Sequence, residues 1–171
     1  DANEAVFASM IAFESKRPSL VLLSRQSLPV LDRSLFADAA NIQKGGYIIS
    51  DCSNADVLIF ATGSEVWVAL DVKKQFPDLN IKVVNLGCWE LFEEQDEKYK
   101  QDVLSCADAA LLVSLEAGIT SGWQKYTGRN GLNIGIDTFG ESAPGNDVAD
   151  HFGLTPDKVK KTIMNKLEEI K

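Results

Sequence analysis

The sequence has one histidine, His151, and three widely spaced cysteines, Cys52, Cys88 and Cys106, in 171 residues. A Ser-His-Asp or Cys-His arrangement would have to be built around His151. That residue sits in Asp150-His151-Phe152-Gly153, just ahead of a helix, and reads as a surface or packing histidine. No C-x-x-C or H-x-x-x-H spacing exists, so no dedicated zinc site is expected. An odd number of scattered cysteines suits a reduced cytoplasmic protein better than a disulfide framework. No apolar run approaches the roughly 20 residues a membrane span needs, so no membrane partner is expected. Basic stripes are missing as well: 17 Lys and Arg stand against 25 Asp and Glu, for a net charge of -8. That balance argues against nucleic acid as a partner. The densest charge run, Glu93-Glu94-Gln95-Asp96-Glu97-Lys98, is acidic and reads as a solvated helix face. Repeats, low-complexity tracts and a G-x-G-x-x-G fingerprint are all absent.

What remains is 45% hydrophobic and 25% charged, the profile of a globular protein able to bury a core. Residues 1–16 read as a helix, with Asp1 as N-cap, Glu4 at the positive end, and Phe7, Met10 and Ile11 at helical spacing. The chain opens mid-pattern on Asp1, with neither a basic n-region nor an apolar h-region, as expected of a sequence that continues upstream. Arg17-Pro18 ends the helix. The apolar run from Ser19 to Ser24 has the length and composition of a strand buried on both faces of a parallel sheet. One helix and one strand need partners, so a domain boundary is placed in the loose stretch 26–46, which carries Pro29, Gly45 and Gly46 and a short helical turn near 37–40.

Beyond Gly46 strands and helices alternate. Strands are expected at 47–50, 56–61, 81–86, 109–115 and 133–136, and helices at 65–75, 93–104 and following a glycine-rich turn after Leu115. A last helix opens at Thr155-Pro156 with the stripe Val159, Ile163, Leu167 and Ile170. This is an α/β domain with a mostly parallel, mixed sheet.

Ligands of such sheets gather beyond the carboxyl ends of the strands. Arg25 leaves the strand 19–24 at that edge, where its guanidinium would grip a phosphate by two parallel hydrogen bonds; the plain alternative is an ordinary surface arginine. Thr62-Gly63-Ser64-Glu65 turns into a helix N-terminus, but Glu65 would repel an anion and simple helix capping is favoured. Glu116 and Asp137 each stand at a strand end without a paired acid, so local hydrogen bonding is favoured over acid–base work. Trp67, Trp89 and Trp123 read as packing residues.

Longer stretches carry a resemblance. Leu23-Ser24-Arg25-Gln26-Ser27-Leu28-Pro29, Ala61-Thr62-Gly63-Ser64-Glu65-Val66 and Trp89-Glu90-Leu91-Phe92-Glu93 resemble segments of transketolases. So do Ser114-Leu115-Glu116-Ala117-Gly118, Gly122-Trp123-Gln124-Lys125-Tyr126 and the run from Gly135 to Gly145. The resemblance implies that residues 1–40 are the end of a pyrimidine-binding domain with its linker, and that 41–171 form a three-layer transketolase-like C-terminal domain. It implies transfer of a two-carbon ketol unit between sugar phosphates of the pentose phosphate pathway by a cytoplasmic homodimer. Thiamine diphosphate and Mg²⁺ would be held by upstream domains, and none is expected on this segment, which alone would be inactive. Of the family's functional residues, only the arginine that binds the substrate phosphate carries over, onto Arg25; His151 matches none of the substrate histidines. Two other readings are a stand-alone regulatory domain binding a small anion, and an interaction domain of another thiamine-dependent enzyme.

Overall fold

The computed structural model describes residues 1–108 and 110–170. Five strands form one sheet: β1 (Tyr47–Ser50), β2 (Val57–Ala61), β3 (Ile81–Asn85), β4 (Leu111–Leu115) and β5 (Leu132–Ile134), in the spatial order β1-β3-β2-β4-β5. β2 runs parallel to both neighbours, with Ile59 opposite Val83 on one side and Val113 on the other. β5 extends the parallel set beside β4, whereas β1 is antiparallel to β3, Tyr47 facing Asn85. The sheet is therefore mixed, as expected. Ala109, where the fourth strand was expected to begin, and Lys171, the last residue of the expected C-terminal domain, lie outside the described residues.

Every side chain of β2 is buried, because a central parallel strand is covered on both faces and reads as a continuous apolar run. Its period of two divides the core. Val57, Ile59 and Ala61 pack with α2 (Glu65–Lys74) and α7 (Pro156–Glu169), while Leu58 and Phe60 pack with Phe92, Val103, Trp123 and Tyr126 on the other face. These last come from α3 (Trp89–Glu93), α4 (Glu97–Leu104), the turn leading into α5 and α5 itself (Gln124–Thr127). Helices thus cover both faces in three layers. On α7 the expected stripe holds at Val159 and Ile163, which are fully buried, and at Leu167, which is partly buried; Ile170, at the C-cap, is exposed.

The N-terminal helix α1 (Ala2–Glu14) is capped as expected, with Asp1 Oδ1 accepting from Glu4 N at 3.0 Å. Phe7 and Ile11 reach the core, whereas Met10 remains half exposed. The helical turn in the linker is a 3₁₀ turn at Ala39–Lys44, a little later than expected.

Two expectations fail. Residues 19–24 form no strand, and Leu20 and Leu22 are each 83% exposed. A strand buried on both faces exists only between neighbours that accept its hydrogen bonds, and none pairs with this segment among the described residues. The helix expected over 93–104 breaks after Glu93, and α4 restarts with Asp96 as N-cap, its Oδ1 accepting from Tyr99 N at 2.8 Å. An aspartate in extended conformation satisfies an orphan amide there, which competes with continuing the helix. The acidic run is thus partly structural: Glu93 accepts from Tyr126 Oη at 2.8 Å and pairs with Lys125 at 2.8 Å.

Candidate functional site

The carboxyl ends of β2, β4 and β5 lie side by side, and the loops leaving them are tied together by carboxylates. Glu65 Oε2 accepts from Ala117 N at 3.2 Å, linking the turn after β2 to the loop after β4. Glu116 Oε2 accepts from Trp123 Nε1 at 2.8 Å, giving that fully buried indole its partner. Asp137 accepts from both Thr120 N and Thr120 Oγ1 at 2.8 Å, joining the loops after β4 and β5. The backbone donor and the hydroxyl hold the Asp137 carboxyl below the usual aspartate range. All three carboxylates are engaged in fixing loop shape, as the sequence suggested for Glu116 and Asp137. For Glu65 the expectation changes. The turn is closed by main-chain bonds such as Glu65 N to Thr62 O at 3.3 Å, and the Ser64 hydroxyl donates to Glu65 Oε1 instead of capping α2.

A second polar cluster, which the sequence did not reveal, lies where α1 meets β1 and β3. Glu4 is only 7% exposed. Its carboxylate accepts from the Tyr47 hydroxyl and from Asn85 Nδ2 at 2.7 Å. Arg33 completes the cluster, donating to Asp1 Oδ1 at 2.9 Å and to Tyr47 Oη at 3.2 Å. Burial pulls the Glu4 carboxyl upward, and the Tyr47 and Asn85 donors work against burial. For Tyr47, burial and the facing carboxylate push the phenol far up, so it stays a donor. The only sequence signal was Glu4 three positions after Asp1, which reports a helix start and not a buried contact.

Arg25 sits on an irregular, exposed stretch. No hydrogen bond or ion pair joins it to Glu65, Glu116 or Asp137 among the described residues, whose partners are those given above. His151 ends α6 (Gly145–His151) and is exposed, its ring set edge-on to Phe152 at 4.8 Å. Trp89 and Trp123 pack edge to face at 4.9 Å, and Trp67 Nε1 donates to Pro29 O at 3.0 Å, so the tryptophans pack and tether. Among the described residues no group of three or more His, Cys, Asp and Glu side chains is placed to hold a metal ion.

A three-layer α/β domain with one antiparallel edge strand and carboxylate-tied loops at the carboxyl edge is the class so defined. Residues 45–155 match the family model described as the transketolase-like TK C-terminal domain. The transketolase of Aquifex aeolicus is 44% identical over 170 residues, covering 97% of this chain and 24% of that protein. Among solved structures, transketolase from Leishmania mexicana superposes with a TM-score of 0.88 at 31% identity, over 99% of this chain and 24% of that one. A Pichia stipitis transketolase in complex with sedoheptulose-7-phosphate gives 0.87 at 33% identity, over 98% and 24%. The chain belongs to the transketolase family, and it spans about a quarter of the length of these relatives.

Proposed function

We propose that this chain is the C-terminal segment of a transketolase, a transferase moving a two-carbon ketol unit from a ketose phosphate to an aldose phosphate in the pentose phosphate pathway. In this reading residues 41–171 are the C-terminal domain and 1–40 close the pyrimidine-binding domain. Thiamine diphosphate, which stabilises the carbanion in this chemistry, and Mg²⁺ are bound by parts of the cytoplasmic homodimer outside this chain. The observation that carries the reading is the ordered set of family segments, from Leu23-Ser24-Arg25-Gln26 to Gly135–Gly145, on a fold that superposes over nearly its whole length with transketolases.

Within that enzyme Arg25 binds the substrate phosphate. An exposed guanidinium at the end of an apolar segment can offer two parallel donors to two phosphate oxygens. The carboxylate-tied loops stiffen the edge of the sheet. The chain alone supplies no group for carbanion chemistry and turns over no ketose phosphate.

The test is Arg25→Ala in the complete enzyme. A charge-assisted contact is worth about 1.5–3 kcal/mol, so kcat/KM for phosphorylated acceptors should fall by roughly one to two orders of magnitude. Non-phosphorylated acceptors should change far less, and Arg25→Lys should recover only part of the loss. An equal loss on every acceptor would make Arg25 a structural residue and overturn its assigned role.

A further inference from the structure

Residues 18–28, which carry Arg25, make no hydrogen bond to the rest of the chain among the described residues; Ser19 Oγ reaches only Arg17 O. The segment is instead held at its two ends. Before it, the exposed Arg17 guanidinium grips both carboxylate oxygens of Glu94. After it, Pro29 O accepts from Trp67 Nε1 at 3.0 Å, and Leu31 is buried in the core.

The two ends differ in what they can fix. Arg17 stands eight residues from Arg25, up to roughly 28 Å of extended chain, and an exposed ion pair is a weak tether. Pro29 stands only four residues away, within about 14 Å. Its ring fixes its own φ and biases Leu28 toward extended backbone, so few soft dihedrals separate the tether from Arg25. Strands of an upstream domain can fix residues 19–24, but the first hydrogen bond after Arg25 is the one at Pro29.

Trp67 is rigidly mounted. It stands on α2 between the buried Val66 and Ala69, and its ring packs against the core cluster on that face of the sheet. Glu65, two residues earlier, is tied to Ala117 N, so the start of α2 is locked to the loop after β4. A phenylalanine would fill the same space. What the indole adds is an N–H, and the carbonyl it reaches belongs to the Arg25 segment.

We propose that Trp67 is a positioning residue for binding of the substrate phosphate: its N–H holds Pro29 O and so sets where the Arg25 guanidinium meets the phosphate. This rests on the phosphate-binding role given to Arg25. The C-terminal domain then contributes to substrate recognition through α2 without touching the substrate. The effect is confined to phosphorylated substrates, because Arg25 has nothing to grip in the others.

The experiment uses the complete enzyme and compares one phosphorylated with one non-phosphorylated acceptor. Trp67→Phe keeps the packing and removes the N–H. It should raise KM for the phosphorylated acceptor by about 2- to 10-fold, the size of one net hydrogen bond, at unchanged kcat. The other acceptor should be unaffected. Pro29→Gly, which loosens the chain beyond that carbonyl, should raise the same KM. In an Arg25→Ala background Trp67→Phe should add nothing, because the group it positions is gone. An unchanged KM in Trp67→Phe, with Arg25→Ala still selective for the phosphate, would overturn the role of Trp67 alone. Equal losses on both acceptors in Trp67→Phe would make it a structural residue and overturn that role as well. A loss in Arg25→Ala shared by both acceptors would remove the phosphate contact itself, and the role of Trp67 would fall with it.

Discussion

The side-chain amide of Asn85, at the end of β3, donates to Glu4 Oε1 at 2.7 Å across 81 positions of sequence. This bond and that of Tyr47 fasten α1 to the sheet through a buried carboxylate. Glu4 is thus an anchor for the N-terminal helix as well as part of its cap.

Removing the anchor should be costly. Glu4→Ala leaves the Asn85 amide and the Tyr47 hydroxyl without their acceptor, and unpaired buried donors cost about 1–3 kcal/mol. In a chain of this size that corresponds to a fall in Tm of roughly 3–10 °C. Glu4→Gln keeps one acceptor and should cost less. Combining Glu4→Ala with Asn85→Ala should lose less than the sum of the two changes, because both break the same bond. Thermal unfolding of the four proteins measures the coupling, and strict additivity would show that the contact contributes nothing.

Asp137 gives stability a pH dependence of known sign. Its carboxyl is held below the ordinary value of 3.8 by the Thr120 amide and hydroxyl, so the unfolded chain takes up its proton at a higher pH than the folded one. The contribution is fully present above about pH 5 and is lost as pH falls through 3.8 toward the folded value. Glu93 is shifted the same way by Lys125 and Tyr126 and adds to the slope. Denaturant unfolding between about pH 3 and pH 6 should therefore show a shallower acid loss in Asp137→Asn than in the unaltered chain. Parallel curves would mean that Asp137 has no net role in acid stability.

Much of the fold was legible because its signals are local. The continuous apolar runs of β2 and β4, the Asp1 cap and the Thr155-Pro156 helix start each lie within a few residues of the structure they specify. The segment 19–24 misled because strand composition is local while strand pairing is not, and no pairing partner is present among the described residues. Asp96 looked like one more charge in an acidic helix and proved to be the cap of a new one. Of the candidate site, a hydrogen-bonding role for Glu116 and Asp137 followed from their place at strand ends without a paired acid, but their partners, 7 and 17 positions away, did not. Nor did the Glu4 cluster, since burial of a charged residue depends on which distant segments close over it.

Gly45 should be intolerant of any side chain. Its φ is +78°, and a Cβ there would stand 2.3 Å from both Cys88 O and Phe92 N, which are main-chain atoms that cannot swing aside. Gly45 N also donates to Ile42 O at 2.9 Å, and Gly45 O accepts from Cys88 N at 2.8 Å, pinning the 3₁₀ turn to the start of α3. Left-handed geometry alone costs a non-glycine residue about 1–2 kcal/mol, and displacement of the α3 backbone adds to that. Gly45→Ala should thus destabilise the chain by more than about 2 kcal/mol. Gly128 is the control: its φ is +69° but nothing lies within 4 Å of its Cβ position. Gly128→Ala should show only the conformational cost. Equal Tm shifts in the two variants would refute the close approach at Gly45.

The Glu116–Trp123 bond offers a test of the loop edge that can be read by spectroscopy. Trp123 is 1% exposed, and its indole nitrogen has Glu116 Oε2 as acceptor at 2.8 Å. Glu116→Ala strands that donor in the core and should cost about 1–3 kcal/mol. The ring also loses the bond that fixes its angle against Trp89 and Tyr126. The near-ultraviolet circular dichroism of this aromatic cluster should weaken while the far-ultraviolet signal is kept. Glu116→Gln retains a carbonyl acceptor of the same reach, so it should preserve the spectrum and most of the stability. A Glu116→Gln variant as damaged as Glu116→Ala would show that the charge itself is required. Glu116 would then act on something other than the indole.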